Sequence, residues 1–343
     1  MGSINLTHCG KLHKKISATI LVVICIYSVC YTYDVLDSSA VTISSAGGQS
    51  AGMLLYKHTS ETKRQAINNL KTNKKLFYEW FVGIVDGDGT FSITPNKHNN
   101  SWQFSFKLSL HVKDKPLLAL IKKQLGCGSI NYAGKNNWQF RIRDRSQLLH
   151  VVIPIFLNYP LHTRKIYHFE LFHQALLDSS KCVYLKSIWN DEQALLRTLE
   201  RVTHALPLRK PSTAWIIGFI EAEGSFYVVQ RHKPSNKRPF GEYCHGFSVT
   251  QKHDKHIVDF LKQVLHIQAN PRFNQASSSW SLDTTNRRSI DNIVKYFNNT
   301  ILGSKHLEFT LWSRAYLNKS KCIDMQYMKN LQNKLQSLRK IVN

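Results

Sequence analysis

The chain has 343 residues, room for two ordinary domains or two closely packed halves with extensions. Lys and Arg number 46 against 22 Asp and Glu, a formal charge of +24 that suits a polyanionic partner such as nucleic acid and lies far from what a protein handling neutral metabolites needs. Seven scattered cysteines with no C-x-x-C pair exclude a disulfide scaffold, and the 16 histidines do not alternate with cysteine at zinc-ligand spacing, which leaves any metal to oxygen donors.

Residues 1–67 read as an N-terminal extension. The first 70 residues hold six basic residues (Lys11, Lys14, Lys15, Lys57, Lys63, Arg64) and three acids, 6 − 3 = +3, so +21 of the +24 lies in residues 71–343. Ile16 to Tyr31 is a nearly continuous apolar run behind His13, Lys14 and Lys15. It falls short of the roughly 20 residues that span a bilayer and suits a signal-peptide core; signal, anchor and non-functional leader all stay open. Ser38 to Gly52, small and polar, reads as a flexible linker.

Two segments of the body match each other. Trp80 to Ile93 reads WFVGIVDGDGTFSI and Trp215 to Val228 reads WIIGFIEAEGSFYV, with 218 − 83 = 135 positions between Gly83 and Gly218. Asp114 to Leu125 echoes Asp254 to Leu265, and Lys165 to Phe169 echoes Lys305 to Phe309, both at 254 − 114 = 305 − 165 = 140. Landmarks recurring in one order define an internal repeat. The expected organisation is a first repeat over 68–177, a connector over 178–212 that ends in PLRKPST, a second repeat over 213–320, and a C-terminal amphipathic helix within 321–343. In that helix Met328, Leu331, Leu335, Leu338 and Ile341 share one face.

Each repeat follows one α+β plan, αββαββα: an apolar helix ending at an acidic glycine motif, a hairpin, a helix, a second hairpin, then helices. In Phe104 to His111, Phe104, Phe106, Leu108 and Leu110 alternate with Ser105, Lys107, Ser109 and His111; in Trp138 to Arg143, Trp138, Phe140 and Ile142 alternate with Gln139, Arg141 and Arg143. One such polar face is an ordinary solvated sheet face. Its recurrence through Arg231, Lys233, Lys237, Arg238, Arg272 and the Arg287-Arg288 pair makes a basic ribbon of the kind that fits the DNA major groove.

The motif cores are FVGIVDGDG (Phe81 to Gly89) and IIGFIEAEG (Ile216 to Gly224). A buried helix with a glycine C-cap explains one such stretch; acid-small-acid-Gly followed twice by Ser or Thr and Phe asks for more. Gly83 and Gly87, Gly218 and Ala222 let two helices approach backbone to backbone, which brings Asp88 and Glu223 together. Facing carboxylates repel unless cations lie between them, which calls for a hard, oxygen-seeking ion, Mg²⁺ or Mn²⁺, and such a cluster can activate water for hydrolysis, as of a phosphodiester.

These cores resemble the LAGLIDADG signature, and the resemblance, of the double-motif, single-chain, intron-encoded homing endonuclease type, covers Leu70 to Leu317. It implies two pseudo-symmetric repeats forming a DNA-binding saddle of antiparallel sheets. It also implies a monomeric, metal-dependent enzyme that cuts both strands of a long asymmetric DNA target and so promotes intron mobility. Asp88 and Glu223 match the metal-binding catalytic positions, assisted by the carbonyls of Gly87 and Ala222, whereas Asp86 and Glu221 match structural positions at the helix interface. Lys165 and Lys305 match a basic residue that steadies the attacking water or the charged transition state, and Gln251 a polar residue of the water network. Anchoring on the aspartates makes His111 the first-half counterpart of Gln251; anchoring on strand alternation makes it Leu110. Lys115 and Lys255 are further candidate basic helpers. Some family members are RNA maturases that assist their own group I intron, the alternative function here. The family and the Lys-, Asn- and Ile-rich composition suggest the mitochondrion, with the chloroplast as alternative. A membrane protein with an incidental basic domain rests on Ile16 to Tyr31 alone.

Overall fold

Asn73 opens the first helix by accepting the Leu76 N–H at 3.1 Å, and from there each repeat runs in the same element order. The first repeat comprises α1 (Lys74–Asp88), β1 (Gly89–Asn96), β2 (Ser101–His111), α2 (Lys115–Leu125), β3 (Ser129–Gly134), β4 (Asn137–Ile142), α3 (Ile153–Asn158) and α4 (Lys165–Leu177), followed by α5 (Cys182–Asn190). The second comprises α6 (Thr213–Glu223), β5 (Gly224–His232), β6 (Glu242–Lys252), α7 (Lys255–Val264), β7 (Arg272–Asn274), β8 (Ser279–Thr284), α8 (Arg287–Phe297) and α9 (Lys305–Leu317), followed by α10 (Met325–Lys340). This computed structural model describes residues 70, 72–96, 101–191, 210–232, 242–318, 320 and 323–340. The apolar run Ile16 to Tyr31, the linker, Lys233, Lys237, Arg238 and most of the connector lie outside them. No helix of the described residues is long and apolar enough to cross a membrane.

Each repeat builds a four-stranded antiparallel sheet, in the orders β1-β2-β4-β3 and β5-β6-β8-β7. The period-2 pattern sets the inner face: Phe104, Phe106, Leu108, Phe140 and Ile142 are buried in the first sheet, and Phe226, Val228, Phe247, Val249 and Leu282 in the second. Aromatic rings join sheet to helices. Phe91 meets Phe106, Phe156, Phe169 and Phe172, while Phe226 meets Phe247, Phe297, Phe309 and Trp312. α10 closes the edge of the second sheet: Gln332 donates to the Val228 carbonyl at 3.0 Å and Arg339 to that of Phe226, with Met328, Leu331 and Leu335 buried beneath.

The two sheets are joined through α1 and α6. A Cβ on Gly83 would overlap the carbonyl oxygen of Trp215, and a Cβ on Gly218 would overlap that of Trp80. The clash partners are themselves repeat equivalents, so the helices cross about a local two-fold axis at backbone contact. A side chain at either glycine would have to displace backbone rather than rotate away.

Candidate active site

Asp88 and Glu223 are the last residues of α1 and α6, and Gly89 and Gly224 cap those helices. The crossing brings the two ends together, so that a Cβ on Gly87 would lie 3.4 Å from Cγ and 3.5 Å from Oε1 of Glu223. Burial pushes the Glu223 carboxyl up to about 7, reinforced by the charge of Asp88 and opposed by Lys305 and Lys165. Asp88 keeps exposed surface, yet the protein around it displaces enough water to raise its carboxyl as well, against the pull of Lys165 and Lys305 and with a push from Asp114.

The lysines stand at the same helix ends. Lys165 Nζ donates to the carbonyls of Val85 at 2.7 Å and Gly87 at 2.8 Å; Lys305 Nζ donates to Ala222 at 3.3 Å and to Gly224. A helix C-terminus favours a cation, and its free carbonyls fix where the ammonium sits. Burial lowers both lysines. Asp86, Asp88, Glu223 and Asp254 hold Lys165 back up; Glu308, Asp88, Glu221 and Glu223 do so for Lys305. Asp88, Glu223, Lys165 and Lys305 thus form one electrostatically coupled cluster. The carbonyls of Gly87 and Ala222, expected to assist a metal, accept hydrogen bonds from the lysines here, with a second lone pair left on each oxygen.

The other two motif acids are committed elsewhere. Asp86, 1% exposed, accepts from His162 N at 2.9 Å, Thr163 N at 3.1 Å, Thr163 Oγ1 at 2.6 Å and Trp215 Nε1 at 2.7 Å. Glu221, pushed up to about 7 by burial, accepts from the backbone of Leu302 and from Gly303 N at 2.8 Å. Each acid therefore ties its motif helix to the loop that precedes the lysine helix of its own repeat. The halves are not identical: Trp80, the equivalent of Trp215, has its indole N–H buried without a partner among the described residues.

Two residues that sequence reading treated only as landmarks prove to link the repeats. Asp254 Oδ1 accepts Arg164 N at 3.0 Å, and Asp114 accepts Ser304 N at 2.5 Å and Ser304 Oγ at 2.7 Å. Each aspartate holds the start of the helix that carries the other repeat's lysine. The available signal was that these aspartates and the two lysines share the 140-residue spacing.

Gln251 Nε2 donates to Asp254 Oδ2 at 3.2 Å. Its counterpart follows from strand register: Gly89 pairs with Leu108 where Gly224 pairs with Val249, and Leu110 pairs with Trp138 where Gln251 pairs with Trp280. Leu110 is therefore the structural equivalent, and the first repeat takes up its extra residue in the 3₁₀ turn Val112–Asp114. His111 instead turns to its own loop, accepting Lys113 N at 3.3 Å. Lys115 and Lys255 lie 3.5 and 5.2 Å from the ring centres of Trp138 and Trp280, and Lys255 also pairs with Asp259 at 2.6 Å.

On the outer face of the first sheet, Lys107 is the register partner of Arg141. Arg141 donates through Nε at 2.8 Å to Gln139 Oε1, and Gln139 donates to Ser109 Oγ at 2.8 Å. Arg143 follows on the same face. Lys107 is lowered by loss of water and then by Arg141 and Arg143, a crowd of like charges. In the second sheet Arg231 sits where the register of β5 shifts, and Arg272 is exposed on β7.

Among the described residues no group of three or more His, Cys, Asp or Glu side chains is gathered to hold a metal. The donors at hand are two mutually repelling carboxylates and nearby backbone carbonyls, a hard oxygen set that fits an ion such as Mg²⁺, which keeps several waters and needs only one or two carboxylates.

Paired motif helices, twin antiparallel sheets and an acid at each helix end define a two-repeat LAGLIDADG protein. The chain belongs to the LAGLIDADG endonuclease family, whose model matches residues 81–176 and 216–316. It is 32% identical over 272 residues to the probable intron-encoded endonuclease Cox1-I1b of Schizosaccharomyces pombe, covering 76% of this chain and 69% of that one. It is 21% identical to the intron-encoded RNA maturase bI4 of Saccharomyces cerevisiae, over 66% of this chain and 30% of the other. Its fold is that of I-SmaMI bound to an uncleaved DNA target in the presence of calcium ions, with TM-score 0.61 and 21% identity, covering 77% of this chain and 97% of that structure.

Proposed function

We propose that this chain is a site-specific DNA endonuclease that hydrolyses both strands of a long, asymmetric target and promotes the mobility of its own intron. The observation that carries this reading is the cluster at the helix crossing: one carboxylate and one lysine from each repeat, Asp88 with Lys165 and Glu223 with Lys305, where α1 meets α6. Asp88 and Glu223 are the residues that would hold the ion, Mg²⁺ or Mn²⁺, which when bound supplies an activated water and neutralises charge on the phosphate. Lys165 and Lys305 add fixed positive charge for the extra negative charge that builds on phosphorus-bound oxygens as water attacks and the 3′ oxygen departs. Asp114 and Asp254 keep those lysines in place from the opposite repeat, so either half depends on the other.

Affinity comes from the outer sheet faces, with Lys107, Gln139, Arg141 and Arg143 on one side and Arg231 and Arg272 on the other, while Lys233, outside the described residues, is a DNA-contact candidate from its sequence position alone. Because both acids belong to one chain, a monomer suffices. Its repeats are taken as 68–177 and 213–320, joined by 178–212 and flanked by 1–67 and 321–343. The relationship to a Cox1 intron product supports the mitochondrion as its compartment. Purified full-length chain should linearise a plasmid carrying the intronless junction in Mg²⁺ and bind it without cutting in Ca²⁺. Absence of cutting with Mg²⁺ and Mn²⁺ alike, alongside stimulated splicing of the host intron, would favour the second reading, an RNA maturase, to which the maturase relative lends support.

A further inference from the structure

The outer faces of the two sheets carry opposite charge at the same point. Trp138 and Trp280 are equivalent, since each pairs with the matched position Leu110 or Gln251 and lies under the matched Lys115 or Lys255. Three residues further along each strand, Arg141 and Asp283 are therefore equivalent as well. Their cross-strand partners differ in the same sense: Arg141 faces Lys107, and Asp283 faces Ser248.

Asp283 is held by a device that the first sheet lacks. Tyr227 on β5 pairs in register with Gly246 on β6, and its ring lies over that glycine, where any Cβ would overlap it. The phenol thereby reaches across β6 and donates to Asp283 Oδ2 at 2.5 Å. Burial and this bond raise the phenol above its ordinary range, so it stays a donor at neutral pH. The ion pairs among the described residues do not include Asp283; on this face Thr250 and Ser281 are bonded to each other at 3.1 Å, Arg272 is the register partner of Ser281, and the charges of Arg272 and Arg339 reach the Tyr227 phenol without forming an ion pair with Asp283.

A carboxylate on a face turned to DNA is repelled by phosphates and by every acceptor on the base edges. The major-groove donors are the exocyclic amines of cytosine and adenine, and adenine presents its N7 acceptor beside its amine. The Tyr227 bond fixes the carboxylate through Oδ2 and leaves Oδ1 to accept, an acceptor-only group that suits the single major-groove donor of cytosine better than adenine, where the N7 acceptor would repel it. The Lys107–Arg141 pair at the equivalent point suits the O6 and N7 acceptors of guanine.

Resting on the endonuclease reading, we propose that Asp283 is a specificity-determining residue that reads the exocyclic amine of a cytosine in the half-site against the second sheet, with Tyr227 and Gly246 as its positioning residues. The test is selection of cleavable duplexes from a library randomised across the target, in Mg²⁺, by the wild type, Asp283→Asn, Tyr227→Phe and Arg141→Ala, each first checked for wild-type-like thermal unfolding. The wild type should enrich cytosine at one position of that half-site. Asp283→Asn should cut that preference roughly tenfold or more and shift it toward adenine, whose N6 and N7 suit an amide. Tyr227→Phe should weaken the preference at the same position, and Arg141→Ala should act only in the opposite half-site. Cytosine preference unchanged in Asp283→Asn, or a loss spread evenly over all positions, would overturn the proposal. Should the wild type enrich nothing, the endonuclease reading itself would fail.

Discussion

Leu110 and Gln251 occupy one and the same place in the two sheets, each the register partner of a tryptophan, Trp138 in the first and Trp280 in the second. Gln251 brings an amide bonded to Asp254, while Leu110 brings only methyl groups to a recess it shares with Asp88, Asp114 and Lys305. A water on the Leu110 side has one polar partner fewer. The two DNA strands should therefore be cut at different rates, with nicked intermediate accumulating, and Leu110→Gln should narrow the difference. Strand-specific end labelling measures both rates; equal rates in the wild type would contradict this.

Asp88→Asn and Glu223→Gln keep size and remove one negative charge each from the coupled cluster. Cleavage should fall by at least roughly a hundredfold in each. Target binding in Ca²⁺, proposed to rest on the sheets, should change little by gel shift. Near wild-type cutting by both variants would remove these acids from the chemistry.

The raised carboxyl of Glu223, about 7, gives cutting a pH dependence. Below that value the group is protonated and a poor ligand, so cleavage should fall as pH drops through 7, and more Mg²⁺ should move the midpoint lower. Stability runs the other way. The folded pKa lies above the unfolded one, so the native state binds more protons than the unfolded chain between about 4.5 and 7, and metal-free protein loses stability as pH rises through that window. Glu223→Gln should remove its own share of this loss and be the more stable protein at pH 8 in EDTA, while Glu221, raised to about 7 as well, keeps a smaller slope of the same sign. Parallel urea titrations at pH 5 and 8 measure it.

Gly218→Ala and Gly83→Ala put a methyl group into the backbone of the facing helix. The cost should reach about 3 kcal/mol or more in urea unfolding, because neither clash can be relieved by a rotamer. A change under about 1 kcal/mol would mean that the helix crossing is looser than described.

Much of this protein was legible in its residues. Two copies of a motif with small residues at fixed places predict helices in backbone contact, and Gly83 and Gly218 each lie against the backbone of the facing helix, at Trp215 and Trp80, as that pattern requires. Alternation in Phe104 to His111 and Trp138 to Arg143 correctly assigns the inner face, since period 2 in a strand is a local property. The motif-end acids and the repeated lysines were equally visible, because duplication marks positions without any knowledge of the fold. In the C-terminal helix, Met328, Leu331 and Leu335 are buried as their spacing implies.

What only the tertiary structure decided are the pairings across long stretches of chain. Sequence spacing left His111 and Leu110 as rival counterparts of Gln251, because the first repeat carries one extra residue before Asp114; hydrogen-bond register between strands selects Leu110. Asp114 and Asp254 stand at the N-cap positions of α2 and α7 without capping those helices; their carboxylates instead reach Ser304 and Arg164 of the opposite repeat, since the crossing of α1 and α6 turns each helix start toward the other half. Lys165 and Lys305 could be matched by period, but that their ammonium groups rest on helix-end carbonyls depends on where α4 and α9 are docked. Tyr227 and Asp283 lie 283 − 227 = 56 residues apart and on strands that are not neighbours. Only the sheet order, and a glycine between them with no side chain to intervene, brings that phenol to that carboxylate.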